Sequence, residues 1–355
     1  MLVGQDVKPF TVSIVVPNYN HGRSLGACIE AILGQKWLPD EVIVIDDASS
    51  DDSRETLARI GAREPRLKVL HNERNLGAIP SMNRGLAACN SHYVAFAAAD
   101  DLLDSAFLST AGAALSAHPK AALFCAEVAV IGRHADGRPF HGIRPTIRPS
   151  QKAAFLSAEQ TRSLLRSNDF FIVTHSVVFR RDLLAAVGGF DAEFGSMADS
   201  LVSKELALAH GFCFVPRVVG TWYVGNQGLS RVASRNAELV LKYLHQTQVR
   251  IRTSSLYPPG YAELFERRWR VATCRVVLAE SEPNWSFIES VGVTGKGDRA
   301  ALWVARRLPT ALARPVMQAW LLARWRPISI GARVRTVVYR AIERVGPALA
   351  WKRRR

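Results

Sequence analysis

Short apolar runs alternate with stretches of helical spacing through the first 130 residues. Thr11 to Val16 (TVSIVV) and Glu41 to Ile45 (EVIVI) are β-branched and almost continuously apolar, the pattern of strands buried on both faces of a parallel sheet. Between them Leu25, Ile29, Ile32 and Leu33 recur at the spacing of one helix face. Asp51-Asp52-Ser53 offers N-caps to a second helix carrying Leu57 and Ile60. The pattern then predicts a third strand over 67–70, a third helix over 79–88 with Pro80 in its first turn, and a fourth strand over 92–98. This βαβαβαβ order predicts an α/β domain of Rossmann-like type, with a mainly parallel sheet flanked by helices. Ligands of such sheets bind beyond the carboxyl ends of the strands. Four strand ends carry polar residues there: Pro17-Asn18-Tyr19-Asn20, Asp46-Asp47, residues 72–77, and Asp100-Asp101.

Between residues 139 and 156 the pattern loosens and three prolines appear, which predicts a loop or linker. Order resumes with a predicted helix over 158–166, a strand over 171–179 and a helix over 201–210. At 355 residues the chain exceeds what one core usually fills. We divide it into a main domain over 1–235, with halves at 1–130 and 150–235, and an extension over 236–355.

Charge sharpens that division. Residues 1–235 carry 24 Lys/Arg and 23 Asp/Glu, whereas residues 236–355 carry 22 and 8, so almost all of the net charge of +15 lies in the extension. From Ala300 to Arg355, Trp303, Leu308, Trp320, Leu321, Trp325 and Val337 are interleaved with arginines, as in interfacial amphipathic helices. An anionic membrane surface is the expected partner of residues 300–355, and a basic helical cap on the main domain is the alternative. Nucleic acid is not expected, because no recognised nucleic-acid module accompanies the charge. Five cysteines, Cys28, Cys89, Cys125, Cys213 and Cys274, lack metal or redox spacing and read as buried thiols of a reducing compartment. The N-terminus lacks the basic and apolar regions of a signal peptide, and no apolar run approaches the roughly 18 residues of a membrane span. A cytoplasmic protein, peripheral on the inner face of the plasma membrane, is expected.

Two common nucleotide sites are excluded. No Gly-x-Gly-x-x-Gly follows the first strand, and Gly295-Lys296-Gly297 lacks the upstream glycine and the Ser/Thr of a P-loop. What remains are the aspartates. Asp100-Asp101 follows Ala97-Ala98-Ala99, side chains too small to obstruct a ligand. A carboxylate there can hold Mg(II) or Mn(II), cations bound through one or two carboxylates plus substrate phosphates. An aspartate of the Asp46-Asp47 pair can accept a hydrogen bond from a nucleobase, and Tyr19 can stack on it. Capping or solvation is the alternative role for either pair.

These segments resemble the family 2 glycosyltransferases of GT-A fold: IVVPNYN, EVIVIDDASSDDS, NERNLGAIPSMNRGL and HYVAFAAADD, in that order, over residues 11–104. The resemblance implies an inverting enzyme that uses a nucleotide sugar and a divalent metal. It assigns Pro17, Tyr19, Asn20 and Asp47 to the nucleoside, and Asp100 and Asp101 to the diphosphate and metal, with Asp101 the direct ligand. Asn75, Gly77 and Asn83 fall in the segment lining the nucleotide pocket. A weaker match through THSVVFRRDLL and VGGFDAEFGSMADSL implies that Asp199 is the catalytic base, although Ala198 stands where the family carries Glu or Gly. An N-cap of the following helix is the alternative for Asp199. His175 and Trp222 are expected to pack as core. TWYVGNQGLSR lacks the family's histidine, so Ser230 or Arg231 is the candidate substitute and Gly225 to Gly228 the candidate lid. Past Arg235 the sequence resemblance ends.

The expected reaction is a single displacement from a nucleoside-diphosphate sugar, UDP-linked by analogy, to a saccharide or lipid-linked acceptor hydroxyl in envelope or surface polysaccharide synthesis. A sugar nucleotidyltransferase is the enzymatic rival, though VVPNYNHGR is not a glycine-rich basic loop. A non-catalytic membrane or nucleic-acid adaptor retaining the fold is the other.

Overall fold

The computed structural model describes residues 10–133, 139–169, 174–224, 235–280, 282–326 and 329–352. Its centre is a ten-stranded mixed sheet. Strands β1 (Val12–Asn18), β2 (Glu41–Asp46), β3 (Leu67–His71) and β4 (Tyr93–Phe96) run parallel, in the spatial order β3-β2-β1-β4. Helices α1 (Gly22–Leu33), α2 (Ser53–Gly61) and α3 (Ala78–Ala88) make the crossovers. The apolar runs are continuous because successive residues feed opposite cores. Val15, Ile43, Ile45, Val94 and Phe96 join one cluster, and Ile14, Val16, Val42, Val44 and Ala95 join the other. Gly85 lets α3 settle on β1, since a Cβ there would lie 2.3 Å from Val15.

The second half adds β5 (Leu102–Leu103), α4 (Phe107–Ala117), β6 (Leu123–Arg133), β7 (Pro139–Arg144), β8 (Ala154–Leu156), α5 (Ala158–Leu165), β9 (Val177–Arg180), α6 (Arg181–Ala186), α7 (Ala198–His210) and β10 (Phe212–Val224). Strand β9 runs antiparallel between β4 and β6, and β10 runs parallel to β6. Ser157 and Gln160 cap α5 reciprocally. The loop or linker expected over 139–156 is corrected. β7 pairs with β6 and β8 with β10; Pro139 opens β7, a position strands tolerate, and Pro145 and Pro149 lie in the irregular stretch between the two strands. The strand expected from 171 begins at Val177, after a 3-10 turn at Thr174–Ser176, and residues 170–173 lie outside the described residues.

The extension is helical: α8 (Ala237–Thr253), α9 (Tyr261–Leu278), α10 (Trp285–Gly292), α11 (Lys296–Ala305), α12 (Thr310–Trp325) and α13 (Ile330–Lys352). Its first two helices do not stand apart. Leu244, Ile251, Tyr261, Phe265 and Trp269 belong to the same core cluster as Phe212 and Met197, so the core crosses the division at 235. A separate cluster around Cys274, Phe287, Ile288, Met317 and Leu321 holds α9 to α12 together. The apolar residues read as one interfacial stripe therefore divide. Leu321 is buried, Trp320 donates from Nε1 to Asp298 at 3.0 Å, and Trp303 and Val337 are exposed. Helix α13 is pinned to the main domain through Glu127, a buried carboxylate that accepts from Arg148 at 2.9 and 2.8 Å and from Arg340 at 3.0 Å. All five cysteines are free and buried. Among the described residues no helix is long and apolar enough to cross a membrane.

Candidate active site

The loops after β1 and β2 are built as one unit. Asn18 Nδ2 donates to Ser49 Oγ at 3.2 Å, the Asn20 amide donates to the same oxygen at 3.0 Å, and the Ser50 amide donates to Asn20 Oδ1 at 2.8 Å. Asn20 sits at φ 56°, a conformation Asn tolerates better than most residues. This turn leaves the Tyr19 ring 45% exposed over the cleft, where its face is free to stack.

The two aspartates after β2 are unequal. Asp46 is buried and faces away from the cleft, paired with Arg54 at 3.0 Å and with His71 Nδ1 at 3.2 Å. Despite a burial cost, hydrogen bonds from Ser49, Arg54 and His71 hold its carboxyl below the ordinary value. Asp47 lines the cleft but is already engaged. It accepts from Asn72 Nδ2 at 2.5 Å and from the amides of Leu76 and Gly77 at 2.9 and 2.8 Å. Asp47 thus shapes the nucleotide-side loop, with about one lone-pair site left over. Asn75 is exposed at the rim and caps Gly77 from Oδ1 at 3.0 Å. Asn83 does not reach the cleft. Its amide is spent on Phe190, donating to the carbonyl at 2.7 Å and accepting from the amide at 2.9 Å. Pro17, Asp100 and Asp101 line the same cleft.

Asp101 is nearly inaccessible. Its Oδ1 accepts from the Tyr223 amide on β10 at 2.7 Å, and its Oδ2 lies 4.0 Å from His175 Nδ1. Burial, with Asp100 beside it, pushes the Asp101 carboxyl up to about 8. His175 Nε2 lies 3.1 Å from the Leu102 carbonyl, and its buried Nδ1 has no hydrogen-bond partner. Burial lowers His175 to about 4, so the ring is neutral and its free nitrogen is an acceptor. A carboxylate that resists ionising, beside an orphaned imidazole nitrogen, fits a divalent cation whose charge would stabilise both. Among the described residues no cluster of three His/Cys/Asp/Glu occurs. Gly220 makes room for the ring: a Cβ there would lie 2.9 Å from His175 Nε2.

Asp199 lies on the far wall of the cleft. The helix begins at Ala198, one residue before it, so Asp199 occupies the first turn and is not the N-cap. Its Oδ2 accepts from Thr174 Oγ1 at 2.6 Å and its Oδ1 from the Ser200 amide at 2.6 Å. Burial raises its carboxyl above the ordinary value, the direction that suits a general base. Beneath it the same helix carries Lys204, fully buried 3.4 Å from Asp169. Asp169 also takes Arg268 and, at 2.7 Å, the Tyr261 hydroxyl, both from α9. This network escaped the sequence reading, as did Thr174. Trp222, expected in the core, is half-buried on the cleft wall. Gly225 to Gly228, Ser230 and Arg231 lie outside the described residues.

Comparison with known proteins bears on the family and the fold. Residues 13–188 match the family model described as Glycosyl transferase family 2. The O-antigen biosynthesis protein RfbC of Myxococcus xanthus is 29% identical over 231 residues, covering 64% of this chain and 17% of that protein. The chain spans 17%, 33% and 26% of the lengths of three curated relatives it matches. S. aureus TarS (1–349), solved in complex with UDP-GlcNAc, superposes with a TM-score of 0.60 at 16% identity, over 87% of this chain and 91% of that one. The mannosyltransferase PcManGT of Pyrobaculum calidifontis, in complex with GDP-Man and Mn2+, gives 0.55 at 20% identity, over 90% and 88%. These spans are too long to end at residue 235, so the shared fold runs into the helical extension. The architecture is GT-A.

Proposed function

The chain belongs to glycosyl transferase family 2, and on that premise we propose that it moves a sugar from a nucleoside diphosphate, UDP favoured, to a hydroxyl of a saccharide or lipid-linked acceptor in envelope or surface polysaccharide synthesis. The observation that carries this reading is the convergence of Tyr19, Asp47, Asp100, Asp101 and Asp199 on one cleft. The nucleotide sugars in the TarS and PcManGT complexes support the donor class, and the O-antigen role in the name of RfbC supports the pathway class.

In this mechanism Tyr19 stacks on the base, and Asp47 offers its remaining lone pair to a ring N–H. Asp101 and Asp100 would hold Mn(II) or Mg(II), which supplies positive charge against the diphosphate as it leaves. Asp199 takes the proton of the acceptor hydroxyl while that oxygen attacks the anomeric carbon from the face opposite the diphosphate. One bond forms as the other breaks, so configuration inverts and no covalent enzyme intermediate is needed. Thr174 and the Ser200 amide each take one lone pair of the Asp199 carboxyl and so orient it, and desolvation strengthens it as a base. Incubation with a panel of nucleotide sugars and Mn(II) tests the reading. Release of nucleoside diphosphate from one of them is expected. Pyrophosphate release would instead favour a nucleotidyltransferase, and no metal-dependent binding would favour an adaptor.

The reading extends to location. Trp303, Leu312, Ile330, Val334 and Val337 are exposed on the basic extension, which supports docking at an anionic membrane surface on the cytoplasmic side. Salt-sensitive sedimentation with anionic vesicles is the expected result; no vesicle binding at low salt would contradict it.

A further inference from the structure

The far arm of the cleft, beyond Asp199, is walled by β6, β7 and the helices of the extension, and it is lined by arginine. Arg144 from β7, Arg275 from α9 and Arg333 from α13 all face this space. None of the three forms an ion pair among the described residues, and the Arg144 guanidinium reaches only the Ile143 carbonyl, at 3.5 Å. Neighbouring arginines are treated differently by the fold. Arg148 and Arg340 share Glu127, Arg268 has Asp169, and Arg250 has Glu205 at 2.8 Å. Among the described residues Arg144, Arg275 and Arg333 have no such carboxylate.

Burial, with Arg275, Arg340 and Arg268 nearby, pulls Arg144 below its ordinary value, and burial with Arg333 does the same to Arg275. An unrelieved group of like charges in a semi-enclosed space is unfavourable until an anion enters. Guanidinium groups match phosphate and carboxylate oxygens in bidentate fashion. Every residue assigned to the donor comes instead from β1 to β4 and the segments that follow them.

We propose that the acceptor is anionic, a chain carrying phosphate or carboxylate groups, and that Arg144, Arg275 and Arg333 receive its charge while Asp199 meets its hydroxyl. The proposal rests on the transfer reading above. Inorganic polyphosphate serves as the probe in a titration of the full chain without metal at physiological ionic strength. Arg144→Gln/Arg275→Gln weakens its binding by about tenfold or more, whereas Arg299→Gln/Arg335→Gln, exposed and away from the cleft, changes it less than about threefold. Relief of repulsion means the cleft variant keeps or gains thermal stability, so lost binding is not lost folding. An equal effect of both pairs, or none from either, overturns the proposal. So does a matching loss of nucleoside diphosphate affinity, which would assign the arginines to the donor. Anionic vesicles form a second arm: if the cleft pair abolishes vesicle binding and spares polyphosphate, the anion is a lipid headgroup and a soluble acceptor chain is refuted. Donor hydrolysis by the wild type is measured separately, so failure of the transfer reading is distinguishable from failure of this one.

Discussion

Asp169 joins the helix that carries Asp199 to the helical extension, and its replacement by Asn isolates what that junction contributes. The side chain is wholly buried and meets Lys204 at 3.4 Å, Tyr261 at 2.7 Å and Arg268. Asp169→Asn keeps the shape and an acceptor for Tyr261 but leaves an ammonium and a guanidinium buried without a counter-charge. Breaking a buried pair in this way costs about 3–5 kcal/mol, which for a chain of 355 residues lowers the melting temperature by roughly 4–7 °C. The loss has a relief valve in Lys204. Its pKa is already down to about 8, from burial offset by Asp169, and without Asp169 it falls further, so the amine goes neutral. Between its folded and unfolded pKa values Lys204 binds a proton only in the unfolded chain, so stability rises with pH there. In the wild type that rise starts near pH 8, and in Asp169→Asn it starts lower. Lys204→Met in the same chain removes the stranded ammonium and restores much of the loss. Thermal denaturation from pH 6 to 10 reads all three effects. A loss under about 1 kcal/mol, or no rescue by Lys204→Met, would mean that Asp169 does not compensate these buried charges.

Three further outcomes follow from the same geometry. Gly220→Ala crowds His175, and is expected to weaken Mn(II) binding in the presence of nucleoside diphosphate, by titration calorimetry, with little change in nucleotide affinity alone. Glu127→Gln leaves Arg148 and Arg340 with a neutral partner, and limited proteolysis is expected to cut α13 faster than in the wild type. The raised Asp199 carboxyl puts the acid limb of the pH–rate profile above the ordinary carboxylate range, with activity lost as pH falls through it; a limb at the usual value would remove desolvation from the account.

The legible parts of the fold were those where local pattern and tertiary burial agree. Strands β1, β2 and β4 read clearly because both faces are buried and their runs are almost wholly apolar. Strands β7 and β8 are edge strands with one open side and proline neighbours, so they resembled a loop. In β10, Pro216 and Arg217 interrupt the run at a register shift that only pairing with β6 reveals. In the site, Tyr19, Asp47 and Asp101 could be read because each follows a strand. Asn83 was in the right segment, yet its amide turned to Phe190, a partner 107 residues away. Lys204 looked like an ordinary helix residue, and only the fold brings it to Asp169. The charge of the extension was obvious as a sum, but Arg144 lies outside it, and its grouping with Arg275 and Arg333 across three elements has no local signature.

The central claim is that Asp199 is the base of a metal-assisted, inverting transfer, and one paired measurement tests it most directly. Donor binding by calorimetry and sugar transfer with the product's anomeric configuration by NMR are followed in the same preparations of wild type and Asp199→Asn, with Mn(II) present. The account predicts equal donor affinity, an inverted product from the wild type, and no transfer by the variant. Full turnover by Asp199→Asn, or retention of configuration, would contradict it.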